Sequence, residues 1–175
     1  MSHTHQKIVR LAIGALFCAL TLVATYVSVP TPGFGNVNLG DGVILLCAFL
    51  TGSPWMALAA ASGAALCDLL SGYAIYAPGT LVIKGVMVLL VILAERLLRR
   101  LKLPKLPTRI LASLLGELVM VLGYFCYEGW ILSFGFAAAA NIPFNCVQGG
   151  VAVLLANIAI PLLEKTRIGN WLNKK

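Results

Sequence analysis

The sequence has few charged residues of either sign. Of its 175 residues, 11% are charged, and only 6 are Asp or Glu, whereas an average soluble protein is roughly 25% charged. The chain is 60% hydrophobic, with a mean hydropathy of +0.94. Residues 11–29 carry no charge at all, and about 20 such residues suffice for one helix through a bilayer. This composition excludes an ordinary soluble domain and indicates an integral membrane protein.

The sequence also lacks the residue sets on which most enzymes and metal sites depend. Its two histidines, His3 and His5, lie in the N-terminal tail, so no Ser/His/Asp arrangement is available within the chain. The five cysteines are dispersed without CxxC spacing, which is typical of small packing residues. The segment GTLVIKG at residues 79–85 lacks the Gly-Lys-Ser/Thr of a P-loop. We therefore expect no enzyme activity, no metal, no cofactor and no ATP hydrolysis by this chain.

Twelve of the 13 Lys and Arg residues lie in three patches outside the apolar segments, at residues 7–10, 96–109 and 165–175. Only Lys84 lies inside an apolar segment. A net charge of +7 could indicate nucleic-acid binding, but these residues flank apolar spans, as the positive-inside rule describes. An even number of spans places all three patches on one side. We therefore predict cytoplasmic termini and no nucleic-acid partner.

Turn-forming residues divide the apolar sequence into helices. Pro30 and Pro32 end the first helix, and Gly52-Ser53-Pro54 separates the second from the third. The uncharged stretch 129–163 is too long for one perpendicular helix, so we divide it into a loop or short interfacial piece and a final helix. The predicted helices cover residues 8–28, 39–51, 54–72, 78–100, 109–127 and 139–163.

These boundaries predict an all-α integral membrane protein with six transmembrane helices and both termini cytoplasmic. The second helix is short for a full span. The spans occupy most of the chain, so residues 1–175 are predicted to form a single transmembrane domain in the cell membrane.

Small residues recur at four-residue spacing in two of the predicted helices. Ala15 and Ala19 form an AxxxA pair in the first helix, and Ala57, Ala61 and Ala65 form a stripe in the third. Such stripes let membrane helices approach closely. Internal packing is the favoured interpretation for the third helix. For the first helix, internal packing and a docking surface for a partner subunit both stay open.

Polar and ionisable side chains gather at one level of the predicted bundle. Inserting an ionisable group into a span costs roughly 2.5–3.5 kcal/mol, so such groups are functional candidates. Alternating helix directions place them all towards the outer side, where Gln148 shares a helix face with Asn141 and Asn145. The candidate substrate-binding residues at this level are Asn36, Asn38, Asp41, Asp68, Tyr76, Lys84, Glu128, Trp130, Asn141 and Asn145.

This polar level leaves two questions open. Asp68 and Lys84 either form a structural ion pair between the third and fourth helices or belong to a binding site. The inner half of the bundle carries far fewer polar groups, which favours a capture site over a complete conduction path, since carriers usually bind near the midplane between repeats. An autonomous carrier or channel for a small polar solute is the alternative.

Two segments resemble a known family. GNVNLGDGVILL at residues 35–46 and SGYAIYAPGTLVIKG at residues 71–85 resemble the substrate-binding S components of energy-coupling factor (ECF) vitamin transporters. The closest group is the riboflavin-transporter-like one, which also includes proteins for pyridoxine and hydroxymethylpyrimidine. The resemblance covers most of the chain, from the AxxxA pair to the sixth helix.

The resemblance implies the substrate-capture subunit of an ATP-driven vitamin importer. It implies that Ala15 and Ala19 meet a transmembrane coupling subunit, that two separate ATPases drive transport, and that the loop Asn36–Asp41 covers the ligand at the outer face. By location alone, the helix tips that complete the pocket include Lys84, Glu128, Trp130, Asn141 and Asn145. The candidate acidic groups suit amino or hydroxyl donors, which favours pyridoxine or hydroxymethylpyrimidine over riboflavin.

Overall fold

The computed structural model describes residues 3–31 and 36–165, so residues 166–175 of the C-terminal basic patch and residues 32–35 of the first loop lie outside it. A π-helical turn, Tyr127–Ile131, and a 3₁₀ segment, Gly135–Asn141, connect the last two long helices. The α-helices and strands are α1 (His3–Tyr26), β1 (Ser28–Pro30), β2 (Asn36–Asn38), α2 (Gly40–Thr51), α3 (Pro54–Leu70), α4 (Ala77–Arg100), α5 (Lys105–Cys126) and α6 (Ile142–Glu164).

Six α-helices are present in the described chain, as predicted, although several ends differ. The break between α2 and α3 occurs at Gly52, whose φ of +57° is a left-handed cap conformation that suits glycine. α5 begins at Lys105, earlier than predicted, because Pro107 lies in the first turn, where its missing backbone N–H leaves no hydrogen bond unmade. α2 is only 12 residues long, consistent with the short helix predicted there.

The connection between α1 and α2 contains structure that the sequence analysis did not predict. β1 and β2 pair as an antiparallel hairpin, with Val29 opposite Val37 and Pro30 opposite Asn36. Three-residue strands are too short to give an alternating sequence pattern. The hairpin directs β2 across the end of the helix bundle.

The helices do not pack in chain order. α1 contacts α3 and α2, α3 contacts α4, α4 contacts α5, α5 contacts α6, and α6 returns to α2. These contacts close a ring, and α2 also touches α4. The ends of α1, α3 and α5 meet the starts of α2, α4 and α6 at one end of the bundle, which we call the cavity end.

Close helix contacts depend on small residues in α3. Ala57 and Ala61 are fully buried, as the packing interpretation of this stripe predicts. A side chain at Gly63 would collide with the backbone carbonyl of Cys18, so α1 and α3 approach each other closely there.

The outer surface of the bundle is apolar. Leu11 and Leu70 are more than two-thirds exposed, and large apolar side chains are exposed on every helix except α2. The segments Lys7–Tyr26, Lys105–Ile131 and Gly135–Glu164 are long and apolar enough to cross a membrane. The cytoplasmic position of the termini stays a prediction from the charge pattern.

Candidate functional site

A cavity of about 210 Å³ lies at the cavity end of the bundle. The hairpin, the loop between α3 and α4, and the tips of all helices except α2 form its wall. The lining residues are Thr25, Tyr26, Ser28, Asn36, Asn38, Cys67, Asp68, Ser71, Tyr73, Tyr76, Thr80, Tyr124, Glu128, Asn145 and Gln148. Most of these side chains are polar, which is unusual between membrane helices and indicates a binding site.

Tyrosines form much of the wall. The rings of Tyr73 and Tyr76 meet edge to face, with centroids 6.4 Å apart. The hydroxyls of Tyr124 and Thr80 are 2.9 Å apart and hydrogen-bonded. Aromatic faces and edges of this kind suit a flat ring as ligand.

Two carboxyl groups, those of Glu128 and Asp68, line this cavity and differ in their hydrogen bonds. Glu128 is only 2% exposed and accepts a hydrogen bond from Asn141 Nδ2 at 2.9 Å. Asp68 is half-buried and interacts with the Thr80 hydroxyl. The Asp68 Oδ2 atom is out of contact with solvent and has no hydrogen-bond partner among the described residues. Asp68 therefore keeps one buried, unpaired oxygen atom beside the cavity.

Tyr76 contributes a neutral hydroxyl to the site. Burial, and then the nearby Glu128 carboxylate, raise the pKa of Tyr76 above its ordinary value. The phenol therefore stays protonated at physiological pH and hydrogen-bonds to Glu128.

A buried ion pair lies beside the cavity and does not line it. Lys84 Nζ donates to Asp41 Oδ2 at 2.6 Å, and both side chains are almost fully buried. The Lys84 ammonium also lies 5.2 Å from the centre of the Tyr124 ring, within reach of a cation–π interaction. The second hydrogen bond to Asp41 Oδ2 comes from Gln148 Nε2, at 2.7 Å.

Gln148 connects this ion pair to the cavity. Its Oε1 accepts a hydrogen bond from the backbone N–H of Asn38 at 2.9 Å, so one side chain links β2 to Asp41. Asn38 in turn accepts from the backbone N–H of Gly40 at 3.0 Å. The strand across the cavity is thereby tied to the start of α2.

The interpretation of Asp68 and Lys84 as an ion pair is wrong. Lys84 pairs with Asp41 on α2, because α2 also contacts α4 across the bundle. Asp68 stays on the cavity wall. The sequence gives the depth of each group along its helix but not the direction in which the helix presents it.

Six of the ten predicted substrate-binding residues line the cavity, namely Asn36, Asn38, Asp68, Tyr76, Glu128 and Asn145. Asp41, Lys84 and Asn141 lie behind the lining and hold other groups. Trp130 is outside the cavity, 69% exposed, and its ring packs edge-on against Phe125. The π-helical turn that carries Glu128 inwards presents Trp130 outwards.

Several lining residues were not among the predicted ones. Tyr73 and Gln148 lie at the predicted level, and that level is the signal that could have selected them. Thr25 and Tyr26 end an apolar helix, and Tyr124 lies in the last turn of α5. Nothing in their local sequence separates these three from ordinary helix residues.

Ala15 and Ala19 are exposed on α1. The face of α1 that contacts α3 is a different one, formed by Gly14, which approaches Ala59, and by Cys18, which approaches Gly63. In the described chain, Ala15 and Ala19 therefore lie on an exposed face of α1, beside the face that packs closely against α3.

Comparison with known proteins decides the family. A sequence model of the ECF-type riboflavin transporter S component family matches residues 5–166. The chain belongs to this family. S components are substrate-binding subunits of membrane transporters and not enzymes, so this S component is a multi-pass membrane protein whose substrate is a small molecule.

Two individual proteins are similar to this S component. The thiamine precursor transporter HmpT of Lactococcus lactis subsp. cremoris (strain MG1363) is 33% identical over 173 residues, covering 97% of this chain and 96% of the relative. A solved S component of a bacterial ECF transporter is 19% identical, covers 90% of this chain and 96% of its own, and has a TM-score of 0.65. At that identity, the structural match supports the fold alone.

Proposed function

We propose that this S component captures a one-ring heteroaromatic vitamin or vitamin precursor at the outer face of the membrane, for an ATP-driven importer. Hydroxymethylpyrimidine is the first candidate, pyridoxine the second and riboflavin the third. The observation that carries the proposal is the small cavity walled by tyrosines and carboxyl groups.

The size of the cavity supports a small ligand. Its volume of about 210 Å³ lies below the roughly 300–1,000 Å³ of most pockets for drug-sized molecules. One ring with short substituents suits this space better than the three fused rings and ribityl chain of riboflavin. The relative named as a thiamine precursor transporter supports the same size class.

The charge pattern supports capture from outside. The connections at the cavity end, residues 27–39, 71–76 and 127–141, contain no Lys or Arg. At the opposite end, the last turn of α4, the connection to α5 and the first residue of α5 together carry Arg99, Arg100, Lys102 and Lys105. Because basic residues are retained on the cytoplasmic side, the cavity end is expected to face outwards.

The surface of α1 supports docking to a transmembrane coupling subunit. Ala15 and Ala19 are exposed and small, so a partner helix can approach the α1 backbone closely. This chain has no P-loop. The energy of ATP would therefore come from two separate ATPase subunits bound to the coupling subunit.

Ligand titration tests the capture role. The purified chain in lipid nanodiscs is titrated calorimetrically with hydroxymethylpyrimidine, pyridoxine and riboflavin. Saturable binding of a one-ring compound, tighter than that of riboflavin, is the expected result. Failure of all three to bind contradicts the proposal.

Uptake into proteoliposomes tests the coupling. Ala15→Trp with Ala19→Trp is expected to leave ligand affinity unchanged and to abolish uptake in the presence of the coupling subunit and ATPases. Leu16→Trp, at a neighbouring exposed position of α1, is the matched control and should retain uptake. Uptake by this chain alone would instead establish an autonomous carrier.

A further inference from the structure

The connection from α4 to α5 mixes basic and apolar residues at the end of the bundle opposite the cavity. Residues 99–107 read RRLKLPKLP, and every one of them is exposed. We call residues 100–106 the basic turn, and Arg100, Lys102 and Lys105 its three cations. Between the cations lie exposed leucines, of which Leu101 is 72% exposed. Cations next to exposed leucines suit the boundary between the headgroups and the acyl chains of a bilayer.

The backbone of the basic turn is fixed by its own hydrogen bonds and dihedral angles. Lys102 has a φ of +59°, and its N–H donates to the Arg99 carbonyl at 3.0 Å, which closes the end of α4. Pro104 then restricts the backbone immediately before α5. A turn that is already ordered loses little backbone entropy when its side chains bind another molecule.

The three cations form no ion pair with any residue that the structure describes. At this end of the bundle, Glu95 is taken by Arg99 and Glu164 by Arg109. The other four acidic residues lie inside the bundle or at its cavity end, namely Asp41, Asp68, Glu117 and Glu128. Residues 1–2, 32–35 and 166–175, outside the described ranges, contain no Asp or Glu. The negative charge that complements the basic turn must therefore come from another molecule.

The position of the basic turn favours a lipid as the source of that charge. The turn continues into the exposed apolar sides of α4 and α5, which carry Leu97 and Leu111 and suit contact with acyl chains. In the ring of helices α1 lies between α2 and α3, so the exposed pair Ala15 and Ala19, where we propose that a coupling subunit docks, is on another side. Basic clusters that directly follow a membrane helix attract anionic lipids.

We infer that the basic turn binds anionic phospholipids, with its three cations on the headgroup phosphates and its leucines at the boundary with the acyl chains. This goes beyond substrate capture and does not depend on it. The guanidinium of Arg100 can bind a phosphate through two parallel hydrogen bonds, whereas Lys102 and Lys105 act as point charges. Each basic residue near an anionic membrane surface contributes about 5-fold in affinity.

Lipid titration of the purified full-length chain, read by native mass spectrometry, tests the inference. The probes are dioleoylphosphatidylglycerol, dioleoylphosphatidylcholine with the same acyl chains, and soluble glycerophosphoglycerol, which is the headgroup without acyl chains. We expect the first phosphatidylglycerol to bind about 10-fold or more tightly than phosphatidylcholine. An excess of glycerophosphoglycerol should not displace it, because the leucines then have no acyl chain to contact.

Neutralising the three cations assigns the site. Arg100→Gln, Lys102→Gln and Lys105→Gln together should lower the affinity for phosphatidylglycerol about 100-fold and that for phosphatidylcholine by less than about 3-fold. The matched control removes the same charge from exposed residues of the other two basic patches, by Lys7→Gln, Arg10→Gln and Lys165→Gln together. It should keep the wild-type preference for phosphatidylglycerol. Melting temperatures of both variants check their folding.

Each contrary outcome has a separate meaning. Equal wild-type affinity for the two phospholipids overturns the inference, and so does an equal loss in the control, because net charge alone would then explain the binding. Displacement by glycerophosphoglycerol would assign the turn to soluble phosphates. A turn variant that keeps its lipid affinity but loses uptake with the coupling subunit and ATPases would assign the turn to a protein partner and overturn the lipid site. Vitamin binding is measured separately, and the wild-type comparison decides the lipid preference even if a variant does not fold.

Discussion

Asp41 and Asp68 lie at the same end of the bundle, yet their partners and their positions relative to the cavity differ. Asp41 is fully buried against Lys84 and Gln148, behind the cavity. Asp68 is half-buried on the cavity wall, with one oxygen atom lacking a hydrogen-bond partner among the described residues. The first carboxyl group holds Lys84 and Gln148 together, and the second lies on the wall of the cavity. The depth of an ionisable residue between membrane helices therefore does not decide whether it has a structural or a binding role. Its partners and its position relative to the cavity decide this.

The largest predicted effect comes from breaking the Asp41–Lys84 pair. Lys84→Met leaves the buried Asp41 charge without its cation, and such changes typically cost about 3–5 kcal/mol of stability. We expect a much lower melting temperature for the purified protein, measured by thermal denaturation in detergent. The double variant Asp41→Asn with Lys84→Met removes both charges and should recover most of the loss.

The ion pair between Arg99 and Glu95 provides the control for this prediction. Arg99 is linked to Glu95 at 2.6 Å, but its side chain is 49% exposed. The Glu95 side chain is 9% exposed, so Arg99→Met should cost some stability, but less than Lys84→Met because water reaches the half-exposed Arg99. A Lys84→Met protein as stable as this control would contradict the structural role of the buried pair.

A smaller effect is predicted at Gln148, where the two regions meet. Gln148→Leu removes hydrogen bonds to Asp41 and to the Asn38 backbone, and leaving buried groups unpaired costs about 1–3 kcal/mol each. We expect weaker ligand binding together with faster hydrogen exchange at the Asn38 amide. Val147→Ala changes an exposed neighbour and should affect neither. Slow exchange in Gln148→Leu would disprove the link between β2 and the ion pair.

The smallest predicted effect concerns two aromatic residues. Tyr76 is hydrogen-bonded to Glu128, and Trp130 follows Glu128 by two residues in the sequence. Tyr76→Phe removes one hydrogen bond to Glu128, so ligand affinity should fall by the equivalent of about 1 kcal/mol. Trp130→Ala should leave affinity unchanged, because Trp130 lies outside the cavity. Calorimetry on both variants checks this order, and a larger loss from Trp130→Ala would reverse the assignment.

The helices and the level of the site could be predicted from sequence because both depend on local patterns. Apolar length, the Gly52–Pro54 break and the alternation of helix direction place Asp68, Glu128 and Asn145 at one end of the bundle. The same counting places Asp41 and Lys84 there, at the correct depth.

The partners of these residues could not be predicted, because they depend on how the helices are arranged around the ring. The contact between α2 and α4 brings Lys84 to Asp41, and no local pattern encodes it. The hairpin and the inward position of Tyr124 are likewise set by packing between distant segments. Sequence periodicity carries no signal for either.

The identity of the small molecule that copurifies with this S component is the most direct test of its proposed role in substrate capture. Mass spectrometry would compare wild-type and Asp68→Asn protein prepared side by side from the same medium, with melting temperatures as the folding control. We expect a one-ring heteroaromatic vitamin or vitamin precursor in the wild-type protein and less of it in the variant, because Asp68 lines the cavity. A three-ring compound in the wild-type protein, or equal occupancy of the two proteins, would contradict this expectation.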